Sequence, residues 1–90
     1  MMQETETSLS GDEVLSRAKT FFAEHVPHFG AFLEGEGATW ATFRGQGGEE
    51  IAVAVFARGR GSKVRASSLL FSQTVARFLA SLPAADRGAA

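Results

Sequence analysis

The sequence predicts an α+β domain: a helix, a four-stranded antiparallel β-meander and a second helix, with both helices packed on one face of the sheet. Three observations carry that reading. Apolar residues recur at helical spacing near each end of the chain. Between them, residues 29–67 hold four short segments in which apolar and other side chains alternate. The breaks joining those segments are brief and glycine-bearing, too short for the dozen or more residues that a parallel crossover needs.

The first helix has a sharp start. Residues 1–8 show no periodicity and read as a disordered lead-in to a single domain over residues 9–83. Ser10 and Glu13 then have the S-x-x-E spacing of a capping box, and Leu9 and Val14 sit where a hydrophobic staple would place them. Val14, Leu15, Ala18, Phe21, Phe22 and Val26 form one stripe, which Pro27 stops near His25.

The strands are expected at 29–34, 38–44, 51–58 and 63–67. A turn centred on Arg60-Gly61 sets Ala57 against Val64, Val55 against Ala66, Phe56 against Arg65 and Arg58 against Lys63. A loop from Gly45 to Glu49 sets Phe43 against Ile51, Ala41 against Val53 and Trp40 against Ala54. A loop from Gly35 to Gly37 sets Leu33 against Thr39, Ala31 against Ala41 and Phe32 against Trp40. Directly opposed residues share a face, and the three registers agree. One face collects Phe29, Ala31, Leu33, Ala41, Phe43, Ile51, Val53, Val55, Val64 and Ala66. The other collects Phe32, Trp40, Thr42, Ala52, Ala54 and Phe56, edged by Glu34, Arg44, Arg58, Lys63 and Arg65.

The second helix is expected to be capped by Ser67 or Ser68. Its stripe is Leu70, Phe71, Val75, Phe78, Leu79 and Leu82, and Pro83 ends it. Residues 84–90 read as a loose tail. The order α-β-β-β-β-α is too generic to indicate a family.

Composition narrows the function classes. Ninety residues make one small domain, for which oligomerisation is a common source of added stability. The absence of cysteine excludes a disulfide scaffold, a thiolate zinc site and a cysteine nucleophile. The first twenty residues are acidic and polar, unlike a secretory signal, and no apolar run reaches membrane-spanning length, so a cytoplasmic location without membrane contact is expected. Net charge is −1, but residues 1–50 hold nine acids and three bases while residues 51–90 hold one acid and six bases.

Two helices can cover only one face of such a sheet. The other face, with Phe32, Trp40, Thr42, Ala54 and Phe56, is the expected interface, either with a second copy in a homodimer or with another protein. The hairpin from Arg58 to Arg65 supplies a second candidate. Arg58, Arg60, Lys63 and Arg65 beside aromatics on an antiparallel sheet could contact anions or single-stranded nucleic acid.

Catalysis and cofactors find little support. None of the glycine-rich breaks fits a phosphate loop, which needs a strand-to-helix junction. His25 and His28 flank Pro27, cannot share a helical face and lack a third ligand, so no metal is expected. The serines lack an evident base, and the loop glutamates Glu34, Glu36, Glu49 and Glu50 imply no pocket. No enzyme activity and no cofactor are expected.

Overall fold

The computed structural model describes residues 2–25 and 31–85. Its elements are β1 (Met2–Thr7), α1 (Gly11–His25), β2 (Ala31–Glu36), β3 (Trp40–Gly45), β4 (Glu50–Arg58), β5 (Gly61–Ser68) and α2 (Ser72–Ser81). The strands form one sheet in the order β1-β5-β4-β3-β2, with every pairing antiparallel. The architecture is therefore α+β, as expected, with five strands rather than four.

The additional strand, β1, occupies the segment expected to be a disordered lead-in. Its side chains do alternate. Gln3, Thr5 and Thr7 share the helix side with Ala66, Val64 and Ser62, while Met2, Glu4 and Glu6 share the other side with Ser67, Arg65 and Lys63. Opposite charges directly across a ladder favour the pairing, so the acids of the first half of the chain meet the bases of the second. β1 is also tied to the C-terminal part of the chain. The Gln3 Nε2 donates to the Ser72 carbonyl at 2.9 Å, and the buried Thr7 hydroxyl donates to the Pro83 carbonyl at 2.6 Å. Thr7 forms an isolated bridge with Ala84, within the expected tail.

The β3–β4 register is as expected: Phe43 opposes Ile51, Ala41 opposes Val53 and Trp40 opposes Ala54. The last hairpin differs by two residues. It turns at Gly59-Arg60, with Gly59 in the left-handed region at φ +59°, and so pairs Val55 with Val64, Phe56 with Lys63, Ala54 with Arg65 and Arg58 with Gly61. The β2–β3 pair differs by four residues, with Phe32 opposite Arg44 and Leu33 opposite Phe43, and it carries an irregularity between Leu33 and Gly35. Both differences are even as far as Leu33, and because strand side chains repeat every two residues, the described residues up to that point kept their expected face although their partners changed. Beyond the irregularity the pairing slips by one more residue, and Leu33, expected in the core, is 39% exposed at the sheet edge.

Ser10 and Glu13 form the expected capping box, with the Glu13 N–H donating to the Ser10 hydroxyl at 3.2 Å and the Ser10 N–H donating to the Glu13 carboxylate at 3.3 Å. Val14, Leu15, Ala18 and Phe22 of α1 are buried. The second helix departs from expectation at its start. Ser67 and Ser68 belong to β5, and Phe71 occupies the cap position without a side-chain cap bond. Ser68 instead accepts the Phe71 N–H at 3.1 Å, which tightens the strand-to-helix connection. Leu70, expected in the buried stripe, is exposed, as is Leu69.

Both helices join one core with the apolar face of the sheet. The Phe22 ring lies 5.2 Å from that of Phe43 and 5.1 Å from that of Phe78, which links α1, the sheet and α2. The expected contributions of Val26, Pro27, His28, Phe29 and residues 86–90 lie outside the described residues.

Candidate functional interface

The face of the sheet away from the helices carries large apolar side chains in the open. Phe32 is 53% exposed, Trp40 44%, Phe56 47% and Met2 59%. Thr42, Ala52 and Ala54 lie half-buried between them. A shallow depression of about 250 Å³ spans this area, lined by residues that include Met2, Trp40, Thr42, Ala54, Phe56 and Arg65. All five residues expected at the interface therefore stand on one face. Phe32 lies at the β2 edge, in register with Arg44 rather than beside Trp40.

The indole has a defined seat. A methyl group built on Gly37 would overlap the Trp40 Nε1, and one built on Gly35 would lie 3.4 Å from its Cζ3. Trp40 thus leans over the glycine backbone at the β2 edge; a side chain at Gly37 would collide with the indole, while one at Gly35 would only touch it. The backbone covers one side of the indole and leaves the rest to solvent.

The charged residues on this face are paired. Glu4 accepts from Arg65 and lies 3.6 Å from the Lys63 Nζ. Glu6 lies 3.6 Å from Arg58. Arg44 reaches both oxygens of Glu34, donates to the Gly48 carbonyl at 2.6 Å and lies 3.6 Å from Glu50. Hydrogen bonding to Arg65 holds the Glu4 carboxyl below its ordinary value, and hydrogen bonding to Arg44 does the same for Glu34. The same bond to Glu34 raises Arg44. Four carboxylates meet four cations, so this face has no net charge. The Arg65 guanidinium also lies over the Phe56 ring, 5.4 Å from its centroid.

These pairs change the reading of the basic hairpin. Arg58, Lys63 and Arg65 lie together as expected, but carboxylates of β1 engage each of them. Arg60 sits in the exposed turn. Met2, Glu4 and Glu6 escaped the sequence analysis because their strand did. The available signal was the alternation of Gln3, Thr5 and Thr7 with larger or charged neighbours, together with a C-terminal half in need of acids.

The remaining candidates lie elsewhere. A concavity of about 580 Å³ lies along the β1 edge, and its carboxylates, Glu4 and Glu6, are those already paired. The His25 ring stacks on Phe21 with centroids 4.3 Å apart, and its Nδ1 lies 3.1 Å from the Phe21 carbonyl. No helix among the described residues is long and apolar enough to cross a membrane. No family model, curated protein or solved structure matches the chain.

Proposed function

We propose that this chain is a small, non-enzymatic protein-interaction module of the cytoplasm that self-associates through the open face of its sheet. One observation carries the reading: four large apolar side chains, Met2, Phe32, Trp40 and Phe56, stand 44–59% exposed on one face. Scattered exposed apolar residues are ordinary, whereas several gathered on a flat face are a common mark of an interface. The face's charge balance supports a second copy as the partner, since a neutral surface does not repel itself. Trp40, seated on glycine backbone, has the character of a hot-spot anchor.

Binding of single-stranded nucleic acid has weaker support. An incoming phosphate would have to displace Glu4 or Glu6 from Arg58, Lys63 and Arg65.

Light scattering across a concentration series tests the proposal. The native chain should approach twice its 9.5 kDa mass, and Trp40→Glu should remain folded by circular dichroism with the mass of one chain. A native protein that stays monomeric at high concentration rules out self-association. Salt-sensitive retention of single strands by that monomer would favour the nucleic-acid reading instead.

A further inference from the structure

Resting on the self-association reading, the structure also carries the arrangement of the two copies. We infer that they stack face to face about a two-fold axis running along β4, so that Trp40 of each copy meets Arg65 of the other.

The inference follows from how residues are distributed across the strands. β4 is the central strand, and its open face carries only Ala52, Ala54 and Phe56 between charged ends. To one side, β3 and β2 carry the aromatics Trp40 and Phe32. To the other, β5 and β1 carry Arg65 and Met2. Trp40 and Arg65 lie level with each other, because both oppose Ala54. Thr42 and Ser67 lie level in the same way, because both oppose Ala52.

A two-fold axis along β4 exchanges left and right and keeps the level along the strands. It lays the alanine floor of one copy on that of the other, where small side chains permit close approach. Phe56 comes against its own counterpart. Trp40 lands on Arg65, whose guanidinium already covers Phe56 within its own chain and gains a second aromatic face. Phe32, at one edge of the sheet, comes over the opposite edge near Met2. Each exposed apolar residue of the face thereby gains an apolar or guanidinium neighbour. The charges on the axis, Glu50 and Arg58, meet their own counterparts at the two solvent-exposed ends of β4, where each is neutralised within its chain, by Arg44 and by Glu6.

The other face-to-face two-fold, across the strands, matches the surface poorly. With the axis at the level of Ala54, it sets Arg65 on Arg65 and Glu4 on Glu4, and leaves Phe32 unmatched beyond the sheet. Either axis leaves the two sheets aligned to within the roughly 30° usual for packed sheets, so it is the matching of side chains that favours the axis along β4.

The chain has no cysteine, so introduced thiols report position directly. The probe is a bifunctional thiol crosslinker matched to the roughly 10 Å between packed sheets. Ala54→Cys, on the axis, should crosslink to its own counterpart. Thr42→Cys alone and Ser67→Cys alone should not, whereas the two variants co-expressed should yield a crosslinked pair. Light scattering on each sample separates the two levels of the proposal. A doubled mass without the Thr42–Ser67 crosslink overturns the arrangement and leaves self-association standing. A single-chain mass for the native protein overturns both.

Discussion

One sheet here has two faces of opposite character. Toward the helices, Ala41, Phe43, Ile51, Val53 and Val64 are almost completely buried, and side chains from α1 and α2 interlock with them. Away from the helices, the same strands expose Trp40 and Phe56 over a floor of Thr42, Ala52 and Ala54, framed by ion pairs. The alternation of single strands produces both surfaces, so the difference lies in what covers them. The helix-side residues contribute to folding of a single chain. The outer residues contribute little until something meets them, and substitutions on the two faces should separate those roles.

The largest contrast is expected between Phe43 and Phe56. Phe43 is 1% exposed and its ring lies 5.2 Å from that of Phe22, so Phe43→Ala removes packed volume and leaves a cavity. A loss of about 3–5 kcal/mol is expected from such a truncation, a large part of the total stability of a small domain. Phe56→Ala, on the outer face of the neighbouring strand, should cost no more than about 1 kcal/mol, arising from surface packing and the contact with Arg65. It should instead weaken association. Urea denaturation of both variants, with light scattering, reads the two effects. Equal destabilisation without a change in mass would erase the distinction between the faces.

A smaller effect on folding, but a specific one on the outer face, is expected from Gly37→Ala. The added methyl overlaps the Trp40 indole nitrogen, and the indole can rotate away more cheaply than the backbone can move. The fold should survive while Trp40 leaves its seat. Because the chain has a single tryptophan, its emission spectrum reports the displacement directly, and the association constant should fall with it. An unchanged spectrum would mean that the glycine does not position the ring.

The faces were legible in the sequence for a physical reason. Side-chain alternation fixes a face regardless of where a turn falls, provided the error is even. Trp40 and Phe56 were placed correctly although the last hairpin turns at Gly59-Arg60 rather than one residue later. Phe32 likewise kept its face across a shift of four. Partners were less legible, because Gly59 and Gly61 both suit a tight turn and only packing chooses between them. β1 was not recognised, because its apolar content is low and its pairing energy comes from residues some sixty positions away, such as Arg65 opposite Glu4. Leu70 was misplaced because the helical stripe was extended one turn too far, into the connection that Ser68 tightens.

The weakest expected effect concerns pH, and it separates the ionic edge of the outer face from its aromatic centre. Glu4 and Glu34 are held below the ordinary carboxylate value, Glu4 chiefly by hydrogen bonding to Arg65 and Glu34 by hydrogen bonding to Arg44. A carboxyl depressed in the folded state binds fewer protons there than in the unfolded chain, so its contribution is present at neutral pH. That contribution is lost as pH falls through the folded-state value. Both pairs are solvent-exposed, so salt should weaken the effect. On acidification, β1 should loosen from β5 before the helix-covered core unfolds. Hydrogen exchange should detect this as faster exchange of the amides of Gln3 and Thr5, the β1 residues whose main chain faces β5, while those of Val53 and Val55 remain protected. Glu4→Gln should bring the same loosening to neutral pH. If the β1 amides exchange no faster in acid than those of β4, the ion pairs do not hold the strand, and its attachment rests on Gln3 and Thr7 instead.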